Sequence, residues 1–220
     1  MKSVPSKRYL IIELIAMFVL LPAAIYLWSP HLILPLLWLM ATIPAILLLR
    51  DKHFNRTALW VIKPLIPYKT LALQSVILFI ISALVLYAIA PDLLFGLIRE
   101  EPLLWVLVML FYPLLSVYPQ ELIYRSFFFH RYRDLIKNPT LSILFNALLF
   151  GYMHIIFHNW IAVALTFIGG LFFAYLYLRS RSLLFVSIVH ALYGDLIFTL
   201  GLGQYFYHGS ISTLAEAMKF

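Results

Sequence analysis

The stretch LLFVSIVHALYGDLIFTLGL, residues 183–202, decides what kind of fold this chain can adopt. It has the roughly 20 mostly apolar residues that a helix needs to cross a hydrocarbon core of about 30 Å. It also holds two ionisable side chains, His190 and Asp195. Such side chains are costly at membrane depth, so they are normally kept where they pair, line a cavity or take part in chemistry. The stretch therefore predicts a membrane helix that carries part of a polar site.

Two further strings place ionisable groups inside apolar segments. QELIYR (120–125) supplies a carboxylate and an arginine, and FGYMH (150–154) supplies a histidine. If these segments pack against residues 183–202, their polar groups form a pocket within a membrane bundle. That arrangement is typical of an intramembrane enzyme.

The composition agrees with a membrane protein. Of 220 residues, 64% are hydrophobic and 11% charged, against about 25% charged in a typical soluble domain. We therefore predict an all-α fold, a polytopic helix bundle forming a single transmembrane domain over 1–220, with N-terminal spans in 1–101 and a core in 102–206 that holds the polar strings. The absence of cysteine excludes disulfides, thiolate zinc sites and a cysteine nucleophile.

Seven segments approach the length of a membrane span, and Lys and Arg alternate in the loops between them. Basic residues cluster in loops expected on the cytoplasmic side, so we predict a cytoplasmic N-terminus, an external C-terminus and an integral multi-pass protein of a bacterial or other plasma membrane. The net charge of +7 lies in these loops, which indicates membrane lipids as partners and no nucleic acid. The predicted spans are Leu10–Trp28, Leu32–Leu49, Leu71–Ala90, Pro102–Tyr118, Leu141–Phe157, Ile161–Leu178 and Leu183–Leu202. The loops expected outside are Ser29–His31, Asp92–Glu101 and His158–Trp160.

Three other features of the sequence predict local structure. Pro113 and Pro119 interrupt the apolar segment, so we predict a span that ends near Tyr118 and a new helix with Pro119 in its first turn. The stretch 53–69 is expected to lie along the membrane interface. Glu13, alone in the first span, is expected to pair with a polar group elsewhere in the bundle.

The spacing of the ionisable residues limits what each can do. Glu121 and Arg125 are four residues apart and can form an ion pair on one helix face. His154 and His158 have the spacing of a two-histidine metal face, but the adjacent glutamate of the H-E-x-x-H motif is missing. His190 and Asp195 are about 500° apart around a helix and do not share a face.

The order of these groups resembles the CPBP family of membrane proteases, which includes type II CAAX prenyl endopeptidases and Abi-like bacteriocin-processing and self-immunity proteins. The family pattern is E-E-x-x-x-R, then F-x-x-x-H, then H-x-x-x-N, and the resemblance covers about 118–195. The chain departs from it at Gln120, where the family has its first Glu, and at Gly194, where it has Asn, with Asp195 the nearest substitute. The matching residues are Glu121, Arg125, Phe150, His154 and His190.

The resemblance implies that 102–206 is a protease-like core and that the chain is an endopeptidase, which hydrolyses peptide bonds of a peptide or membrane protein near the cytoplasmic face. The family assigns the activation of water to its first Glu, and with Gln120 at that position the role passes to Glu121 with His154. By the same resemblance, His190 stabilises the oxyanion and Arg125 holds the geometry. The residues expected to support them are Gln120, Phe150, Asp195 and His158.

Other interpretations stay open at this stage. Because an amide cannot act as a general base, Gln120 is also compatible with an inactive relative that serves as a membrane scaffold or immunity protein. A transporter is the less favoured class, since there is no repeat of broken segments in two halves. No cofactor is assigned, although Glu121, His154 and His190 could bind zinc. The sequence indicates no oligomeric state.

Overall fold

A computed structural model describes residues 5–28 and 33–206 of the chain. These ranges form helices joined by turns and contain no strand. Seven helices within them are long and apolar enough to cross a membrane. The predicted all-α, multi-pass membrane bundle is thereby confirmed. The helices are α1 (Lys7–Leu27), α2 (Ile33–Arg50), α3 (Tyr68–Ile89), α4 (Pro102–Arg131), α5 (Pro139–Phe157), α6 (Trp160–Ser180) and α7 (Leu183–Leu200).

Side-chain caps set where several of these helices begin. Ser6, Asn138, Asn159 and Ser182 each accept a hydrogen bond from a backbone N–H in the first turn of the following helix. Such caps satisfy donors that the helix itself leaves without partners. At the other end of α7, Gly201 has a φ of +99°, a left-handed conformation that suits glycine. The last span is thus bounded on both sides by local sequence.

Helix α4 corrects one expectation. It runs unbroken for 30 residues, so the predicted end near Tyr118 and the new helix at Pro119 are wrong. Two π-helical segments, Pro113–Val117 and Leu122–Phe127, let the helix continue past both prolines, since such segments bend a helix without ending it. Glu121 therefore lies ten residues before the end of α4, about 15 Å along the axis at 1.5 Å per residue.

An ion pair ties the first span to the end of α4. Both carboxylate oxygens of Glu13 accept hydrogen bonds from Arg131, at 2.9 and 2.8 Å, and the Tyr132 hydroxyl donates to Glu13 at 3.0 Å. The expectation that Glu13 pairs with a polar group elsewhere in the bundle is confirmed. Paired charges of this kind are the form in which a membrane bundle tolerates an acid in a span.

The basic loops meet at one end of the bundle, which we call the basic end and define by the segments 50–67, 131–138 and 179–182. His130 contacts the Asp51 carboxylate at 2.7 Å, and this hydrogen bond lowers the pKa of Asp51. The Ser182 hydroxyl donates to the Val61 carbonyl at 2.6 Å, which joins the first and third of these loops. Three loops that carry Lys and Arg residues are therefore neighbours in space.

The opposite end of the bundle is formed by the loops that carry few Lys and Arg residues. The backbone N–H of Phe95 donates to Leu200 at 3.2 Å, and the Asn159 side chain donates to the Tyr205 carbonyl at 2.5 Å. The predicted loop 29–31 and the predicted external C-terminus lie outside the described residues. The stretch 53–69 includes a short 3₁₀ helix, Arg56–Leu59, and its place at the membrane interface stays a prediction.

An aromatic cluster packs the centre of the bundle. The Phe18 ring lies 5.2 Å from Tyr124, 5.8 Å from Phe128 and 6.0 Å from Tyr132, all edge to face. Tyr124 in turn contacts Phe150 at 5.1 Å. These contacts join α1, α4 and α5 directly beside the polar groups described next.

The absence of cysteine permits a clean test of orientation. In intact cells, we expect a Cys introduced at Gln204, exposed at the opposite end, to react with a membrane-impermeant maleimide. A Cys at Lys52, on the basic end, should react only after the cells are opened, because basic loops face the cytoplasm. The reverse labelling pattern would invert the assigned orientation, and the unmodified chain, which has no thiol, is the blank.

Candidate active site

Glu121 is the centre of a buried polar cluster. Its side chain is 0% exposed, and its two oxygens have different partners. His190 Nδ1 donates to Oε1 at 2.8 Å, while Arg125 Nε lies 3.1 Å from Oε2. A buried carboxylate requires such partners, because transfer of an isolated charge out of water is very unfavourable. The cluster joins α4 to α7.

Arg125 is held from a third helix. It is fully buried, and one terminal nitrogen donates to the Asn146 side-chain oxygen of α5. The guanidinium lies 4.7 Å above the centroid of the Phe150 ring, a favourable cation–π arrangement. Asn146 also donates to the Tyr124 carbonyl at 2.6 Å. The predicted Glu121–Arg125 pair is therefore present, with an amide that fixes its geometry.

Asn146 was not among the predicted site residues. It precedes Phe150 by four residues and His154 by eight, so the three share one face of α5. A lone amide on that face of an otherwise apolar span was the signal in the sequence.

His154 lies where α5 changes from an α-helix to a 3₁₀ turn, His154–Phe157. Its backbone N–H bonds to the Gly151 carbonyl, which leaves the Phe150 carbonyl available to the imidazole ring. His154 Nδ1 donates to that carbonyl at 2.7 Å. In the neutral ring, Nε2 is then an acceptor.

His190 is held by rings as well as by Glu121. It stacks on Phe173 with 4.6 Å between centroids, and Phe150 meets its edge at 5.7 Å. Its Nε2 lies 3.3 Å from the Tyr112 hydroxyl. Because Nδ1 is bonded to Glu121, Nε2 is the nitrogen left for chemistry.

A cavity of about 990 Å³ reaches both histidines. Its wall is mostly apolar, with a few polar side chains at mid-depth. It extends toward the opposite end, and no residue of the basic end lines it. The lining residues at the opposite end are Ile33, Leu34, Pro35, Phe198, Leu200, Leu202 and Phe206. Glu121 and Arg125 do not line it either, so the expectation of one cavity shared by Glu121, His154 and His190 is corrected: Glu121 lies behind His190. The polar side chains that line the cavity are Gln74, Ser82, Tyr112, Ser116, Gln120, His154, Thr166, His190 and Tyr193.

The remaining predicted residues take different positions. Gln120 lines the cavity, and its amide donates to Ser116 at 2.7 Å. Asp195 does not line it, and one of its carboxylate oxygens is buried without a hydrogen bond within the described residues. His158 has a φ of +55° and stacks on Tyr26 at 4.1 Å, so the two-histidine metal face of a regular helix does not form.

The donor set does not fit a zinc ion. Within the described residues, no three His, Asp or Glu side chains come together as a metal site. Both Glu121 oxygens face His190 and Arg125, so among these side chains only the Nε2 atoms of His154 and His190 remain as donors, fewer than the three protein ligands of a catalytic zinc site. No step is therefore assigned to a metal.

A family model described as type II CAAX prenyl endopeptidase Rce1-like matches residues 102–194. The matched segment begins with α4 and ends at Gly194, so it contains Glu121, Arg125, His154 and His190. This confirms the resemblance found from the motifs. Comparisons with curated proteins and with solved structures gave no match.

Replacing Asn146 with Leu tests how far the cluster depends on this amide. The change removes the bonds to Arg125 and to the Tyr124 carbonyl, so we expect a loss of about 2–3 kcal/mol of stability, typical when a buried charged group loses a hydrogen bond. Thermal unfolding in detergent micelles measures it. Ser187→Ala is the matched control, because the buried Ser187 hydroxyl has no hydrogen bond within the described residues. Equal unfolding temperatures for the two variants would contradict the assignment.

Proposed function

We propose that this chain, whose residues 102–194 match the Rce1-like type II CAAX prenyl endopeptidase family model, hydrolyses peptide bonds in the apolar cavity with water activated at His154. One observation carries the proposal. Two imidazoles from different spans line the same cavity, and each has its Nδ1 bonded to a fixed acceptor. Both Nε2 atoms are therefore oriented by the fold before a substrate binds, as efficient catalysis requires.

The Nδ1 atoms of the two histidines have different hydrogen-bond acceptors, and this difference gives each histidine its own role. His154 is bonded to a backbone carbonyl, so its Nε2 serves as the proton acceptor from water. His190 is bonded to the Glu121 carboxylate, and a carboxylate stabilises positive charge on the ring it holds. His190 Nε2 therefore serves as a donor to the oxyanion of the tetrahedral intermediate.

Glu121 acts through His190 in this scheme. The family roles pair it with His154, but its hydrogen bond runs to His190 and its side chain is shut off from the cavity. Arg125 balances its charge from the other side. Gln120 is anchored by Ser116, which leaves its carbonyl oxygen to accept a hydrogen bond from the attacking water.

The reaction balances with these groups alone. Water gives a proton to His154 Nε2 as its oxygen attacks the peptide carbonyl carbon, and the oxyanion forms beside His190. The C–N bond then breaks as His154 returns the proton to the leaving nitrogen. The products are a carboxylic acid and an amine, and no oxidant or second substrate is needed.

The position of the cavity bears on where a substrate binds. The cavity reaches from the two histidines toward the end opposite the basic end, and no residue of the basic end lines it. If the basic end faces the cytoplasm, the cavity extends away from the cytoplasmic face, and cleavage takes place within the bundle rather than near that face. A peptide or a membrane-protein segment with an apolar part fits such a wall, since apolar surface removed from water favours binding.

A second function is favoured by one observation. Among the residues that the structure describes, those lining the cavity include no carboxylate, and Gln120 stands at the position of the first family Glu. A relative that binds a membrane peptide without cutting it, as a scaffold or immunity protein, has this character. The Gln120→Glu variant separates the two, because cleavage that appears only in that variant identifies a binding protein derived from an enzyme.

The direct test uses defined peptides and purified protein in lipid vesicles. A farnesylated peptide with a C-terminal CAAX sequence and its unmodified counterpart are incubated with the protein, and products are identified by mass spectrometry. We expect cleavage by the wild type and a loss of about 10²–10⁴-fold in His154→Ala, the usual contribution of a general acid–base group. His53→Ala, on the basic end, is the control. Binding without cleavage would support the second function instead.

Glu121→Gln should lower both activity and stability. The amide keeps the volume but leaves the buried Arg125 charge without its counterion, which costs about 3–5 kcal/mol when one partner of a buried pair is removed. It also removes the carboxylate that holds His190. Glu100→Gln, exposed near the opposite end, is the matched control. Full cleavage by a stably folded Glu121→Gln protein would contradict the role given to this residue.

A further inference from the structure

Tyr112 is a polar residue of the cavity that has no role in the reaction described above. It lies on α4, just before the first π segment, and its hydroxyl is 3.3 Å from His190 Nε2. Its ring meets Phe198 edge to face at 5.1 Å. The hydroxyl is therefore held beside one of the two reactive nitrogens by packing from α7.

Gly194 makes this position possible. It lies one turn after His190 on α7, and a Cβ atom built on it would overlap the Tyr112 hydroxyl and ring. Any side chain at position 194 would displace Tyr112. The space that a side chain at position 194 of α7 would occupy is therefore filled by the phenol hydroxyl of Tyr112 from α4.

The distance between the two groups suits a shared ligand. Oxyanion donors lie about 2.7–3.1 Å from the oxygen they stabilise. Two donor atoms 3.3 Å apart can both reach one oxygen at that distance, so a single carbonyl oxygen can bind the Tyr112 hydroxyl and His190 Nε2 together. At 3.3 Å their direct contact is longer than the range of about 2.7–3.2 Å for an N–H···O hydrogen bond, so little is lost when a substrate oxygen takes its place.

We propose that Tyr112 is a catalytic residue, the second donor of an oxyanion site that it forms with His190 above Gly194. The inference rests on the proposed peptidase function and names a residue which that function does not require. The phenol O–H donates weakly to the neutral carbonyl of a bound peptide and strongly to the oxyanion. Such an interaction raises the rate because it is stronger in the transition state than in the ground state.

The test compares Tyr112→Phe with Tyr175→Phe, the same change on an exposed face of α6. With whichever CAAX peptide the wild type cleaves, we expect Tyr112→Phe to lower kcat by about 10²-fold, the order of loss for one oxyanion donor, with little change in KM. The unfolding temperature should match that of the wild type. Tyr175→Phe should retain full activity.

A phosphonate analogue of the same peptide provides a second readout. Its tetrahedral anion resembles the oxyanion, so Tyr112→Phe should weaken its binding by about the same factor as kcat, whereas the uncleaved peptide should bind equally well to both proteins. A merely structural tyrosine would affect both ligands alike. Equal affinity of the two proteins for the phosphonate would overturn the inference.

Position 194 offers a rescue that separates geometry from folding. Gly194→Ala alone should lower kcat by displacing Tyr112, and in Tyr112→Ala an added Gly194→Asn should restore part of the rate by placing an amide donor in the space left by the phenol. If the wild type cleaves a peptide and Tyr112→Phe keeps its kcat, the inference falls and the peptidase stands. If the wild type cleaves no peptide, the proposed function falls and the inference with it.

Discussion

The structure depends on one buried carboxylate. Glu121 is sealed from water and shared between Arg125 and His190, so its charge is neutralised within the bundle. In a low-dielectric interior this sharing decides which helices must be neighbours, because an unpaired charge there would be far less stable. Through Arg125 the same carboxylate fixes Asn146 on α5, and through His190 it fixes α7. Three spans are thereby brought to one point.

In this cluster the charged groups and the reactive groups lie in different places. The formal charges of Glu121 and Arg125 lie behind the cavity wall, and the surface that a substrate meets carries imidazole, amide and hydroxyl groups. A wall of this kind admits an apolar ligand without exposing it to a full carboxylate charge. The Glu121–Arg125 pair then acts on the substrate through His190, because the hydrogen bond to Glu121 sets the orientation of that ring.

Part of this site could be predicted from the sequence, and the part that could not has a common cause. The Glu121–Arg125 pair follows from helical spacing, and the number of spans follows from their apolar length. The partner of Glu121 across 69 residues, the amide of Asn146 and the contact of Tyr112 with Gly194 depend on packing between helices, which spacing along one helix does not encode. Pro113 and Pro119 predicted a break in α4, but two π-helical segments let the helix continue past them.

The ion pair between Glu13 and Arg131 limits how the chain can be divided into shorter segments. Arg131 belongs to the segment that matches the Rce1-like family, whereas Glu13 and Phe18 lie well before it. The first span therefore supplies both the counterion and part of the aromatic packing of the matched segment. Residues 102–194 alone would leave the Arg131 guanidinium without its counterion and uncover the aromatic rings that Phe18 contacts, so the boundary drawn by sequence similarity cuts across contacts that hold the bundle together. Grafting that segment onto unrelated spans would require replacements for both contacts.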